Sequence, residues 1–346
     1  MSHSSRAAYI RAPFQIKIED ILKPAIEYSE EVFLQVNAVG MCGTDIHLAK
    51  GWADDWRRFG HETAATVVEA GSNVTDLAPG DLVTVHATTA CRICEACMNG
   101  IIQDCQNWIP SRQSLAFADY MVVPRRMLWK VTQLTAREAT LIEPLSVALD
   151  LVHVADIQLG HTVVVVGPGP IGLMSIKLCK LKGATRIIVI GTDRDRNRFP
   201  LARELGAEVT IDVTQEDPVE AAKAASGGHG ADRVLVTAPV RVMNQAIAMA
   251  RWGGIISYLG FEVKDEQAIV PINLNEFHFR RLQLRASYAA PATRFPLAEK
   301  LLAAREIDPA KFITHRFPFE QLEQMLHLVA DQSDGVVKAV AEIQPA

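Results

Sequence analysis

A run of β-branched residues that leads directly into a glycine-rich turn constrains the fold of this chain more than any other segment. Thr162–Val166 reads TVVVV, and Gly167, Gly169 and Gly172 follow it in the spacing G-x-G-x-x-G. Such a continuous run is typical of a strand buried on both faces of a parallel sheet, and residues 171–182 then have the pattern of a helix. A glycine loop between a strand and a helix predicts a dinucleotide-binding site.

The residues of this loop have distinct expected roles. One glycine makes the tight turn, one lets the backbone approach a pyrophosphate, and one lets the helix pack closely on the strand. The backbone N–H groups at the start of the helix face the phosphates. The alternative is a purely structural turn, which the surrounding strand–helix alternation disfavours. The candidate dinucleotide-binding residues are therefore Gly167, Gly169, Pro170, Ile171 and Gly172.

The pattern of strand-like and helix-like runs divides the chain into three segments. Residues 1–150 contain short strand-like runs such as VFLQVNAVG and DLVTVHA, which indicate a mostly β domain. Residues 151–290 alternate strands such as RIIVIG and DRVLVTA with helical stretches, which is the doubly wound α/β pattern. Residues 291–346 return to helices and a last strand, VVKAVAEI. The predicted fold class is α/β, with a mostly β domain and a Rossmann domain.

Length and charge narrow the class of protein. The chain has 346 residues and a formal net charge of −5, and at about 150 residues per domain this length suggests two domains. No basic stripe indicates a nucleic-acid partner. No apolar run reaches the roughly 18 residues that span a bilayer, and the start has no apolar signal-peptide core. We expect a soluble cytoplasmic protein without a nucleic-acid or membrane partner.

Four cysteines lie close together in the first domain. Cys91, Cys94, Cys97 and Cys105 supply four thiols within residues 90–106, a pattern that favours a metal site over disulfides in a chain of this size. Four thiolates complete a tetrahedral zinc shell, so the site is expected to be structural. An iron–sulfur cluster is the chemical alternative. A nucleic-acid zinc ribbon is the functional alternative, although the segment carries little positive charge.

Three other segments carry groups that suit a catalytic metal. They are GMCGTDIH with Cys42, GHE with His61 and Glu62, and Glu143-Pro144 at a predicted helix start. One thiol, one imidazole and one or two carboxylates can hold zinc with a coordination position left open, where the metal acts as a Lewis acid. Each residue alone has an ordinary structural interpretation, in the core, on the surface or at a helix start. Their occurrence together with the glycine loop and the cysteine cluster favours a catalytic zinc site.

At this point a family resemblance becomes evident. Through the motifs VGMCGTDIH, FGHE, CRICEAC, IEPLSVALD and VVVVGPGPIGL, the chain resembles the zinc-containing medium-chain dehydrogenases, on the sorbitol and threonine dehydrogenase side. The similarity runs from YIRAP to VVKAVAEI. It implies a GroES-like catalytic domain, an inserted Rossmann domain and a C-terminal return to the first domain. It also implies a homodimer or homotetramer, and hydride transfer between a secondary alcohol, such as a polyol or sugar, and NAD(P).

The resemblance also implies roles for individual residues. Cys42 and His61 would be ligands of the catalytic zinc, and Glu62 would be the third ligand, as in the sorbitol type. Glu143 matches the position where other members have their last protein ligand. With the four-cysteine site, two zinc ions per chain are expected.

The same resemblance implies a proton relay. Thr44 would accept the proton of the alcohol and His47 would pass it outward. Two other function classes remain open at this stage. One is a zinc-free quinone or enone reductase of the same fold, whose members lack the cysteine ligands. The other is a non-enzymatic dinucleotide sensor, which would bind the cofactor without turnover.

The choice between NAD and NADP depends on a short segment after the second Rossmann strand. An NAD enzyme carries an acidic side chain about 20 residues past the glycine loop, where it binds the ribose hydroxyls, and Asp193 has this spacing. Aligned on the strand itself, however, the acidic position is occupied by Gly191. A glycine would leave room for a 2′-phosphate, which Arg194, Arg196 and Arg198 could bind by charge-assisted hydrogen bonds. The spacing of Asp193 favours NAD.

Overall fold

The computed structural model describes residues 4–110, 116–288 and 293–344. The chain divides into two compact units, unit 1 from Met1–Ser146 with Ala289–Ala346, and unit 2 from Val147–Tyr288. The domain limits expected from the sequence, at residues 150 and 290, lie a few residues from these boundaries. Unit 2 is thus inserted in the sequence of unit 1.

Unit 1 is built around a mostly antiparallel sheet. Seven strands form it. Six of them are, in spatial order, Leu128–Lys130, Leu82–Val85, Glu62–Ala70, Glu31–Gly40, Lys338–Glu342 and Ile313–Pro318. The seventh, Tyr120–Pro124, also pairs with Glu31–Gly40. A three-stranded sheet has the order Gln15–Leu22, Ser4–Arg11 and Arg57–Arg58, and a two-stranded ribbon joins Thr88–Thr89 with Ile109–Pro110.

The strand Glu31–Gly40 organises this unit. Most of its side chains are buried, in keeping with its apolar sequence EVFLQVNAVG. It pairs with Glu62–Ala70 on one side and with Lys338–Glu342 on the other, with Val340 opposite Gly40. The core around these strands consists of aliphatic and aromatic side chains, among them Ile10, Val36, Phe59, Phe117 and Met121. The end of this strand is therefore fixed on both sides.

Short helices complete unit 1. They are Gly43–His47, Glu95–Met98, Ala136–Ala139, Phe295–Ala303, Pro309–Phe312 and Leu322–Asp331. The helix Ile142–Val154 contains the boundary between the units in its sequence.

Unit 2 is a doubly wound α/β domain. Its six strands are all parallel, in the order Val209–Asp212, Arg186–Gly191, Thr162–Val166, Ala231–Val236, Ala250–Tyr258 and Gln283–Ala286. Helices Pro170–Leu181, Phe199–Glu204, Pro218–Ala225, Met243–Met249 and Leu274–Arg280 lie between them in the chain. Val163, Val164 and Val165 have no exposed surface, as expected for a strand covered on both faces. The predicted fold class is confirmed.

The helices of both units are short or amphipathic. Among the described residues, none forms a helix with the length and apolar character required to cross a bilayer.

Candidate active site and metal centres

A buried carboxylate connects two of the segments that carry candidate zinc ligands. Asp45 has no exposed surface. Its Oδ2 accepts a hydrogen bond from the Cys42 N–H at 2.9 Å, and its Oδ1 accepts one from the Gly60 N–H at 3.3 Å. Cys42 precedes the helix Gly43–His47, while Gly60 immediately precedes His61. Asp45 therefore holds Cys42 close to the GHE segment.

His61 lies against the thiol of Cys42. The two side chains form a hydrogen bond. Burial lowers the pKa of His61, but Cys42 and the carboxylates of Glu143 and Asp45 outweigh this effect and raise the pKa well above its usual value. Among the carboxylates, Glu143 acts most strongly on His61. The structure thus brings the candidate thiol, imidazole and helix-borne carboxylate into one electrostatic group.

Glu62 is paired with a lysine from a distant part of the chain. Lys338 donates to Glu62 Oε1 and also to the Met41 carbonyl oxygen, the latter at 2.9 Å. Both charged side chains are buried. Burial raises the pKa of Glu62 to about 7, although the positive charge of Lys338 opposes that change. Glu62 Oε2 is buried and has no hydrogen-bond partner among the described residues.

Glycine at position 40 makes room for this carboxylate. A Cβ atom placed on Gly40 would lie 2.2 Å from Glu62 Oε2, which is far too close. Gly40 and Glu62 are directly opposite each other in the paired strands. A larger residue at position 40 would therefore displace Glu62.

Glu143 occupies the first turn of Ile142–Val154. Burial raises its pKa, while His61 and Lys338 oppose the change. Cys42, His61, Glu62 and Glu143 together offer the sulfur, nitrogen and oxygen donors of a catalytic zinc site, and the unpartnered Glu62 Oε2 fits a missing cation. Their donor atoms are less tightly grouped than those of the cysteine cluster, which is the one set within the described ranges that converges to within 4.8 Å. These residues fit zinc in chemical type.

The two candidate relay residues lie beside this group. Cys42 Sγ donates to Thr44 Oγ1 at 3.7 Å, so the hydroxyl is adjacent to a candidate ligand. His47 ends the same short helix, and its ring packs against Trp52 with a centroid separation of 5.7 Å. Trp56, four residues further along, packs against the cationic groups of Arg11 and Lys17.

The four-cysteine cluster has the geometry of a candidate metal site. The sulfur atoms of Cys91, Cys94, Cys97 and Cys105 all lie within 4.8 Å of one another. Hydrogen bonds from backbone N–H groups, chiefly that of Cys97, lower the pKa of Cys94 to about 6. Thiolates are the form that binds zinc, so the cluster fits a closed, structural ion. The sixth cysteine, Cys179, is fully buried in unit 2.

The glycine loop of unit 2 has the geometry of a dinucleotide cradle. Gly167 has a φ of 99°, which favours glycine. A Cβ atom on Gly172 would lie 2.0 Å from the Gly167 carbonyl oxygen, so only glycine allows this close packing. Gly169 precedes Pro170 and Ile171, which begin the helix Pro170–Leu181. The backbone N–H groups at a helix start suit a phosphate.

The residues considered for cofactor choice lie in the turn after Arg186–Gly191. Asp193 and Arg194 are exposed, whereas Asp195 and Arg198 are buried. Arg198 forms an ion pair with Asp195 at 3.2 Å.

Two residues of the active-site group were not identified from the sequence. Asp45 lies three residues after Cys42, the spacing at which a carboxylate can accept the N–H that precedes a helix, and this signal would have found it. Lys338 had no local signal, because its partner Glu62 is far away in the sequence.

Comparisons with known proteins identify the family of the chain. Residues 28–133 match the alcohol dehydrogenase GroES-like domain, and residues 170–304 match the zinc-binding dehydrogenase domain. The L-threonine 3-dehydrogenase of Bacillus subtilis is 30% identical over 337 residues, with 94% of each chain covered. The sorbitol dehydrogenase of the same organism is 29% identical, with 93% of this chain and 92% of that protein covered.

A solved structure has the same fold over nearly its whole length. It is a candidate zinc-binding dehydrogenase of Sinorhizobium meliloti 1021 bound to NADP, with a TM-score of 0.88 and 29% identity, covering 99% of this chain and 100% of that one. The matched domains include the cysteine cluster, the GHE segment and the whole helix Pro170–Leu181. The chain therefore belongs to the zinc-containing medium-chain alcohol dehydrogenase family.

Proposed function

We propose that this enzyme transfers a hydride between a secondary alcohol of the polyol or sugar type and a nicotinamide dinucleotide. The observation that carries the proposal is the grouping of Cys42, His61 and Glu143 around a thiol–imidazole contact. A dinucleotide at the Gly167–Gly172 loop would supply the hydride acceptor or donor. Zinc and NAD(P) are the cofactors of this enzyme class.

Cys42, His61 and Glu143 would hold the catalytic zinc, and Glu62 Oε2, which has no hydrogen-bond partner among the described residues, would be a further, weaker oxygen donor. Lys338 occupies Glu62 Oε1, whereas Glu143 acts on His61 more strongly than the other carboxylates. When bound, the zinc supplies a Lewis acid that lowers the pKa of an alcohol oxygen. The side chains of the protein fix its ligand geometry, and Asp45 keeps the Cys42 segment in place through two backbone hydrogen bonds.

The proton of the alcohol would leave through Thr44 Oγ1. This hydroxyl lies next to Cys42, and a hydroxyl both accepts and donates hydrogen bonds. His47, at the end of the same helix, would take the proton onward, because one nitrogen of a neutral imidazole accepts a hydrogen bond while the other donates. Thr44 therefore accepts the proton of the alcohol, and His47 passes it on to solvent.

The substrate would carry a second polar group next to the reacting carbon. Two of the similar proteins are named for L-threonine and sorbitol. Both compounds are secondary alcohols with a neighbouring amine or hydroxyl. The carboxylates of the buried Glu62 and the partly buried Glu143 could accept hydrogen bonds from such a group.

The test is a substrate panel of polyols, sugars and hydroxy-amino acids, followed by nicotinamide absorbance with each cofactor. We expect turnover of at least one vicinal diol or hydroxy-amino acid, and loss of that turnover in Cys42→Ala and His61→Ala with dinucleotide binding retained. Preference for long-chain primary alcohols over every diol would contradict the substrate class. Tight dinucleotide binding without turnover of any alcohol would favour the sensor function.

We also propose that the enzyme is a homodimer or homotetramer in the cytoplasm. The strand Gln283–Ala286 lies at the edge of the six-stranded sheet, and Leu274, Phe279 and Leu284 nearby in the sequence are exposed. An open edge with apolar neighbours is suited to pairing with a second copy. None of the six cysteines forms a disulfide in the described part of the chain, as expected in a reducing compartment. Sedimentation analysis tests the oligomeric state.

A further inference from the structure

The second strand of the Rossmann sheet ends without the acidic residue that commonly binds the adenosine ribose. Arg186–Gly191 pairs in parallel with Thr162–Val166, and the Gly167 N–H donates to the Ile190 carbonyl oxygen at 2.8 Å. The strand end therefore lies directly beside the glycine loop. In this fold the side chain at that end contacts the ribose 2′-position, and here the position is Gly191.

A carboxylate from the following turn covers Gly191. Asp195 Oδ2 accepts hydrogen bonds from Thr192, from N–H at 2.9 Å and from Oγ1 at 3.1 Å. A Cβ atom placed on Gly191 would lie 3.0 Å from Asp195 Cβ and 3.1 Å from Asp195 Oδ2. Asp195 is only 8% exposed. Its carboxylate is thus fixed in the space that a side chain at the strand end would occupy.

Two of the arginines that could bind a 2′-phosphate are already paired. Arg198 is 5% exposed and forms an ion pair with Asp195 at 3.2 Å. Arg196 pairs with Asp212 at 2.9 Å. A phosphate would have to compete with these carboxylates for each guanidinium. The charges of these two guanidinium groups are therefore already balanced by carboxylates.

Asp193 is in a different position. It is exposed, and its Oδ1 accepts a hydrogen bond from the Arg194 N–H at 3.0 Å. It lies at the start of the turn Asp193–Asp195, whereas Asp195 ends that turn and folds back over the strand. Spacing from the glycine loop favours Asp193, but contact with the strand end favours Asp195.

We propose that Asp195 takes the place of the missing strand-end carboxylate and selects NAD over NADP. Its carboxylate fills the space at the strand end, and its ion pair keeps Arg198 from binding a 2′-phosphate. The proposal rests on dinucleotide binding at the glycine loop. Family membership does not decide the choice, because the Sinorhizobium meliloti structure is bound to NADP at 29% identity.

The test measures binding rather than turnover. NADH and NADPH are titrated into the zinc-loaded protein, and their dissociation constants are obtained from the nicotinamide fluorescence. We expect the wild-type protein to bind NADH at least about tenfold more tightly than NADPH, a difference of about 1.4 kcal/mol. Asp195→Asn removes the charge and keeps an acceptor for Thr192, so the preference should fall by about tenfold.

Asp193→Asn is the matched control, because it makes the same change of charge two residues away. It should change the preference for NADH over NADPH by less than about twofold, because an exposed charge is screened by salt. Asp195→Ser keeps a short acceptor for the turn and serves if the Asn variant fails to fold. Equal effects of the two Asn variants, or tighter NADPH binding by the wild type, would overturn the proposal.

The outcome separates this proposal from the proposed reaction. A wild type that binds neither dinucleotide refutes both the glycine-loop assignment and the role of Asp195. The expected binding pattern in a protein that oxidises no alcohol refutes the reaction and leaves the role of Asp195 supported.

Discussion

Lys338 and Glu62 form an ion pair in which the side chains are only 5% and 1% exposed, respectively. Removal of one partner from such a pair leaves an uncompensated buried charge, which costs about 3–5 kcal/mol. Lys338→Met should therefore lower the free energy of unfolding by about that amount. Urea denaturation measures the change.

The double variant Lys338→Met/Glu62→Gln is the control for that experiment. Because it removes both charges, it should recover a substantial part of the stability lost in Lys338→Met. If Lys338→Met is as stable as the wild type, the ion pair with Glu62 does not stabilise the fold.

Glu143 and Glu62 should differ in their effect on the catalytic zinc. Since Lys338 occupies Glu62 Oε1, Glu143→Gln should release the catalytic ion while the cysteine site keeps its own. The zinc content, measured by elemental analysis, should then fall from about two ions per chain to about one. Glu62→Gln should retain nearly two ions. The reverse pattern would make Glu62 the third ligand.

The four-cysteine cluster should stabilise the folded chain. A closed zinc shell contributes folding energy, and the four sulfur atoms already lie within 4.8 Å of one another. Cys94→Ser should lower the zinc content by about one ion and reduce the thermal midpoint. Cys179→Ala, which changes a buried cysteine outside the cluster, should keep both ions. Iron instead of zinc in the wild type would refute the assignment.

Thr44 should affect proton transfer without affecting the metal. Thr44→Val keeps the shape of the side chain and removes the hydroxyl next to Cys42. Loss of a positioned proton-transfer group typically costs about 10²–10⁴-fold in rate, so kcat should fall by at least about a hundredfold. Thr44→Ser should recover much of the rate. Normal kcat in the Val variant with full zinc content would exclude the relay.

His86 should make the stability of the protein sensitive to acid. Burial, assisted by the charge of Arg92, lowers the pKa of His86 from 6.5 to about 4, and its ring stacks on Phe295 at 3.8 Å. Above pH 6.5 the ring is neutral in both states. Between pH 6.5 and about 4 the unfolded chain binds the proton first, so stability falls as the pH falls.

The expected loss across this window is at most about 3 kcal/mol. His86→Phe keeps an aromatic ring against Phe295 and removes the titrating group. Its unfolding free energy, measured from pH 7 to pH 4, should fall less steeply than that of the wild type. Parallel curves for the two proteins would contradict the role of His86.

The local pattern of apolar residues was enough to predict the strands and helices that begin and end at turn residues. The strand RIIVIG matches Arg186–Gly191 residue for residue, because an apolar run between turn residues has few other ways to pack. The helix after the glycine loop was expected at residues 171–182 and lies at Pro170–Leu181. Boundaries of this kind shift by one residue because the end of a helix depends on its capping contacts.

Contacts between distant segments could not be predicted in the same way. Nothing near Lys338 in the sequence indicates that it lies beside Glu62, because the contact depends on the pairing of Lys338–Glu342 with Glu31–Gly40. Arg198 was considered as a phosphate ligand, yet it pairs with Asp195, which spacing from the glycine loop did not single out. In both cases the decisive information is the register of a strand or the direction of a turn.

The insertion of unit 2 into unit 1 has a consequence for protein synthesis. Glu62 is translated well before Lys338, and the whole Rossmann unit emerges from the ribosome between them. That unit contains all the strands of its own sheet, so it can form while the nascent first segment still lacks the strand Lys338–Glu342. Until that strand is synthesised, Glu62 lacks the ammonium group of Lys338, so unit 1 completes its fold last.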